Sequence, residues 1–188
     1  MSLTLIDPPV AEPVTLAEAK VFLRLDGSEE DALVDRLIAA ARAHVERETG
    51  LALLTQRWTQ TLDRWPDDAV PLGIWPVSAV EQVAVKDALG SPAEVDAESY
   101  VADLAGRPAR LLRPGGWPEP GLEMGGIAIT FEAGFGDERD DVPADLRQAL
   151  LMLVAHWFER RTGLEEALRE KSPPAVAALV RPFRLVRV

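Results

Sequence analysis

A chain of 188 residues, 47% hydrophobic and 27% charged, has globular composition and room for one domain, or one domain with a sizeable insertion. It contains no cysteine, which excludes disulfide scaffolds, zinc ribbons and thiol nucleophiles and suits a reducing compartment. Twenty basic residues against 31 acidic ones give a net charge of -11, which argues against a protein that grips nucleic acid through its phosphates. No apolar run approaches the about 18 residues of a membrane span, and the stretch from Met1 to Pro13 lacks signal-peptide character, so a soluble, untargeted protein is expected. The charge is uneven: from Ser172 to Val188 there is no acidic residue, while Arg181, Arg184 and Arg187 are basic.

The first ten residues, with Pro8, Pro9 and Pro13, read as an extended arm. Helix one is expected from Thr15, because Thr15 and Glu18 have capping-box spacing and Leu16, Ala19, Phe22 and Leu23 share a face; it should end near Asp26-Gly27. Ser28 opens helix two, in which Leu33, Val34, Leu37, Ile38, Ala41 and Val45 form a stripe running to Thr49-Gly50, and Gly50 suits a left-handed C-terminal cap. Residues from Thr55 to Leu62 alternate as a half-buried strand does. Val80 to Val85, Tyr100 to Leu104, Ala109 to Leu112 and Ile127 to Glu132 supply further short strands between Gly and Pro clusters. Asp141-Val142-Pro143 restarts a helix, and its run from Ala149 to Phe158 is apolar nearly all round, which marks Leu150, Leu153, Val154, Trp157 and Phe158 as central or as a subunit interface. Gly163 should end it, a short helical stretch should reach about Lys171, and Ser172-Pro173-Pro174 should release a projecting tail.

The chemistry-bearing patterns are weak. Gly134-Phe135-Gly136 is followed by Arg139 where a dinucleotide fingerprint needs its third glycine, and no lysine follows a glycine as in a phosphate-binding loop. The acidic cluster Asp137, Glu138, Asp140 and Asp141 offers carboxylates to a hard cation but lacks the alternating spacing of a calcium loop, and a capped helix start explains it. His44 with Glu48, and His156 with Glu159, do not form a zinc-protease motif, and none of the serines lies in a nucleophile elbow. Trp65-Pro66, Trp75-Pro76 and Trp117-Pro118 fit loops pinned to a sheet. No catalytic, metal or cofactor residue is assigned.

The ordered set of motifs is more informative. Residues Val14 to Lys20, Phe22-Leu23-Arg24-Leu25-Asp26, Thr49-Gly50, Thr55-Gln56-Arg57-Trp58, Trp75-Pro76-Val77, Ile129-Thr130-Phe131, Ala133-Gly134-Phe135-Gly136, Val142-Pro143, Ala155-His156-Trp157 and Arg181-Pro182-Phe183-Arg184 follow one another along nearly the whole chain. Together they resemble the head-tail connector (adaptor) proteins of long-tailed bacteriophages, prophages and gene transfer agents. Residues from Lys86 to Gly126 carry no such motif.

The resemblance implies an α+β fold in a single connector domain over residues 1–188. Three main helices would form an antiparallel bundle (about residues 14–51 and 141–171), with a small β-rich insert between helices two and three (about 53–133) and an extended tail (172–188). It also implies a non-enzymatic structural subunit of the virion neck, assembled in the bacterial cytoplasm. About twelve copies would form a ring below the portal protein, meet a head-completion (stopper) or tail protein, and pass double-stranded DNA without gripping it or touching a membrane. An acidic body suits such a conduit, since fixed negative charge repels a duplex within a Debye length of about 8 Å. Val180, Arg181, Phe183, Arg184, Val186 and Arg187 are the expected portal- or neighbour-binding residues: at three residues per turn the arginines form one face and the apolar trio another. A small metal-dependent hydrolase using Asp137 to Asp141, and a host-side protein-binding module, are the alternatives.

Overall fold

A computed structural model describes residues 1–160 and 172–184. The chain divides into two compact units, one of Met1–Pro9 and Thr55–Phe135, the other of Val10–Leu54 and the described residues from Gly136 on.

The first unit is built from eight strands in two antiparallel sheets. Five of them, β1 (Ser2–Asp7), β2 (Gln56–Leu62), β4 (Val77–Lys86), β5 (Pro92–Glu94) and β8 (Ile127–Ala133), lie in the order β1-β2-β8-β4-β5. The other three, β3 (Val70–Pro71), β6 (Val101–Asp103) and β7 (Arg110–Leu112), lie in the order β3-β7-β6. Strand β8 is central because its sequence alternates: Ile127, Ile129, Phe131 and Ala133 are buried, and the residues between them are half-buried. Its neighbour β2 buries Gln60 completely. The Gln60 amide donates to the Pro71 carbonyl at 2.9 Å and accepts from the Gly73 amide at 2.8 Å, so a polar side chain in the core ties down the β3 segment without an unmet bond. On the solvent face, Arg57 of β2 pairs with Glu81 of β4 at 2.6 Å and with Asp7 of β1 at 3.6 Å. The loops are held by aromatic rings: Trp65 stacks on Trp117 at 4.3 Å and donates to the Pro118 carbonyl, while Trp75 meets Phe135 edge-on beneath the Arg107 guanidinium.

The second unit contains α1 (Leu16–Leu23), α2 (Asp31–Thr49), α3 (Ala144–Glu159) and α4 (Pro174–Val180). The expected capping box is present: Thr15 Oγ1 accepts from the Glu18 amide at 3.1 Å and Glu18 accepts from the Thr15 amide at 2.8 Å. These bonds hold the Glu18 carboxyl below its ordinary pKa, with smaller help from Arg139 and Arg147. Thr15→Ala should therefore cost about 1 kcal/mol of stability, read as a lower denaturant midpoint with an unchanged slope. Helix α1 ends earlier than expected, because Arg24 adopts the left-handed conformation (φ 57°) and closes it. Gly50 caps α2 at φ 77° as expected. Helix α3 opens after a short 3-10 turn at Arg139–Asp141 and buries seven side chains, Trp157 the largest. Gly136 precedes that turn; a Cβ there would collide with the Asp141 side chain, so only glycine fits.

The expectation of a three-helix bundle with a small β-rich insert is overturned. The described residues form a sheet-rich fold with eight strands in two antiparallel sheets and four α-helices. Three strands account for much of the difference. The N-terminal arm, Ser-Leu-Thr-Leu-Ile-Asp, is β1 and pairs with β2, and the two- and three-residue strands β3 and β5 are too short to show a period of two. The extended tail is corrected as well: Pro174 stands at the first turn of α4 rather than breaking a helix, because proline there loses no hydrogen bond. Gly163, Lys171, Val186 and Arg187 lie outside the described residues.

Candidate functional site

The residues singled out in the sequence fall in three places in the helical unit. Leu150, Leu153, Val154, Trp157 and Phe158 are all buried within the subunit, so its own core accounts for the apolar run. Packing against α2 and α4 consumes the face that the sequence offered to a neighbour. What remains exposed beside α3 is a shallow apolar groove of about 410 Å³ lined by Ala17, Val21 and Phe22 of α1 with Leu151.

The acidic loop is engaged locally. Asp141 accepts from the Glu138 amide at 3.0 Å, Asp140 pairs with Arg147 at 3.0 Å, and Arg139 reaches Glu18 at 3.6 Å. Among the described residues no three histidine, aspartate or glutamate side chains converge as metal ligands would. Glu138 and Asp141 cap the 3-10 turn that precedes α3, while Asp140 and Glu18 pair with arginines.

The third place is the C-terminal segment. Its helix α4 buries Val176 and Val180 completely against α3, and a 3-10 turn at Arg181–Phe183 follows, in which Arg181 and Arg184 are exposed and Phe183 is half-buried. Both ends of the segment are tied to one carboxylate on α2. The Ser172 hydroxyl donates to Glu48 at 2.8 Å, and the Arg184 guanidinium also bonds Glu48. His44, one turn earlier, approaches Ser172 Oγ at 2.9 Å and rests edge-on against Trp157.

Serine, histidine and glutamate together invite comparison with a hydrolytic triad, but the proton order is wrong. The Ser172 proton is given to Glu48, which makes His44 Nε2 a donor to Ser172 rather than the base that would activate it. The cluster is an anchor for the chain end. Burial holds the His44 pKa below its ordinary value, against the opposing pull of Glu48. A base whose folded pKa is depressed binds its proton more readily when unfolded, so stability is full above about pH 6.5 and falls as pH drops below it. Unfolding at pH 7.5 and pH 5.5 should show this loss, and His44→Gln should shrink it.

Sequence reasoning noted the His44 and Glu48 pair, and Arg184 as a binding residue, but missed Ser172 and the bonds that tie Ser172 and Arg184 to residues more than a hundred positions away. No local pattern could have linked them.

The sequence profile of the head completion protein family matches residues 12–167. The chain belongs to the head completion protein family. This bears out the resemblance to head-tail connectors. Solved structures extend the likeness to the whole chain: one, from the virion of a native gene transfer agent (GTA) particle, superimposes with a TM-score of 0.81 at 29% identity. Two more come from the neck of an empty GTA particle computed with C6 symmetry and the neck of a native GTA particle computed with C12 symmetry, each with a TM-score of 0.79 at 30% identity. Each of the three matches covers 100% of this chain and 97% of the other. No curated protein matches the chain.

Proposed function

We propose that this head completion protein is a structural subunit of the neck of a phage-like or gene-transfer-agent particle, where copies form a ring that joins the capsid to the tail. The observation that carries the reading is the full-length match to chains of GTA necks, one of them computed with C12 symmetry. The ring holds about twelve copies, lies below the portal protein on one side and meets a stopper or tail protein on the other. It lets double-stranded DNA pass without gripping it, in keeping with the net charge of -11. The subunit performs no catalysis. The engagement of Glu138, Asp140 and Asp141 in caps and ion pairs supports this, as does the proton order at Ser172. No described helix is long and apolar enough to cross a membrane.

Arg181, Phe183 and Arg184 lead the chain toward its end with two exposed cations and a half-buried ring, and they contact the portal or the neighbouring subunit. Particles assembled without this chain should contain a portal but no tail, and cryo-microscopy of complete particles should show its density beneath the portal. Tailed, infectious or transducing particles made in its absence would end the reading.

A further inference from the structure

We propose that neighbouring copies join edge to edge through the five-stranded sheet, with β1 of one copy adding to the uncovered half of β4 in the next. The proposal rests on the ring reading above and names a surface which that reading leaves open.

Strand β1 forms one end of the sheet, and five of its six residues are exposed, Leu5 and Ile6 by 40% and 45%. The other end is only half closed. Strand β5 pairs with Ala84, Val85 and Lys86, and the Val95 amide extends the cover to the Val83 carbonyl. Residues 77–82 have β8 on one side and no described strand on the other. A free strand edge is a row of backbone donors and acceptors that another strand satisfies in series.

The two open edges match in three ways. Residues 77–82 make a stretch as long as the six residues of β1. Strands β1, β2, β8 and β4 are each antiparallel to the next, so a second copy in the same orientation brings its β1 antiparallel to β4 and continues the alternation. Copies in the same orientation, meeting through two different surfaces, are what a closed cyclic ring requires. Both edges are also irregular: β4 shifts register between Val77 and Ala79 and between Val80 and Gln82, and β1 shifts between Leu5 and Asp7. Bulges bend and twist a strand edge and so discourage pairing with flat strands of unrelated proteins. With about 4.8 Å between strands, four strands in each of twelve copies close on a circumference of about 230 Å, which leaves a broad passage at the centre.

The absence of cysteine makes the seam testable by cross-linking. Thr4, Thr59, Thr130 and Gln82 lie in one row across the sheet, so Thr4 and Gln82 of the same copy are three strand spacings apart, about 14 Å. That is beyond the about 7 Å a disulfide spans between Cα atoms, so oxidation can join only different copies. Gln82→Cys is combined in turn with Ser2→Cys, Thr4→Cys or Ile6→Cys to sample register in steps of two. All four positions are exposed, and the reduced variants should melt as the parent does.

In oxidised particles at least one pair should give a ladder of multimers on a non-reducing gel, collapsing to monomer with dithiothreitol, while each single-cysteine parent goes no further than dimer. If neck rings are visible by cryo-microscopy and no pair passes the dimer, or if the cysteines capture a different protein, the seam is wrong and the ring reading stands. If no ring is visible, the ring reading fails and the seam with it.

Discussion

Trp157→Ala should lower the stability of the helical unit by about 3–5 kcal/mol, the usual cost of deleting a fully enclosed indole. Trp157 is 2% exposed, the largest of the side chains buried by α3, and it supports His44 from the edge. The substitution removes core volume and the wall against which the Ser172 anchor is built. For a chain of this length the melting temperature should fall by roughly 10 °C. Leu151→Ala, one helical residue away from the core face and half-exposed, should cost under about 1 kcal/mol. Equal losses for the two variants would show that the orientation of α3 is misassigned.

Deletion of residues 174–188 should destabilise the protein by about 3 kcal/mol, since Val176 and Val180 are both fully buried and each contributes about 1.5 kcal/mol or more. A projecting tail, as the sequence suggested, could be removed at almost no cost. The structure separates two parts of the segment: α4 puts Val176 and Val180 into the core, and beyond it Arg181 and Arg184 face solvent. Arg181→Ala should leave stability within about 0.5 kcal/mol of the parent while weakening attachment to the portal or to the next subunit. Arg184→Ala also releases Glu48, and the loss should stay under about 1 kcal/mol because the pair is solvent-exposed. Urea titrations of the three variants distinguish the core helix from its exposed end.

Helices α1 to α3 were legible because their signals are local. A capping box, a glycine cap and a long stripe of apolar residues each act within a few positions, and the structure places all three helices close to where the pattern put them. Strands β2, β4 and β8 were legible by alternation or by valine content, and β6 and β7 by the Gly and Pro clusters that bound them. What escaped the sequence was pairing. Strand β1 reads as an arm until β2 lies beside it, and β3 becomes a strand through β7 and the Gln60 amide that holds it. The family could be seen in ordered motifs, whereas the anchor at Ser172, His44, Glu48 and Arg184 exists only after folding. The apolar run of α3 shows the limit of hydropathy: burial within a subunit and burial between subunits select the same residues.

The register of β2 against β8 has a consequence for how the chain reaches its native state. Gln56 stands opposite Ala133, so the polypeptide enters and leaves this part of the sheet at neighbouring positions. Helices α2 and α3, which pack together, are separated by the residues between Thr49 and Ala144. Joining them across an unfolded chain of that length means closing a long loop. Once the β2–β8 ladder has formed, the effective loop shrinks to the residues beyond each end, a reduction of about two and a half doublings and about 1.5 kcal/mol of closure entropy. The sheet therefore serves as a staple for the helices: the long closure falls on the β2–β8 pairing, across the 64 residues between Leu62 and Ile127, and helix docking then closes a short loop. The same geometry lets the length of the intervening segment vary freely while the two exits stay adjacent, so the region from Lys86 to Gly126 can differ among relatives without disturbing the helical core.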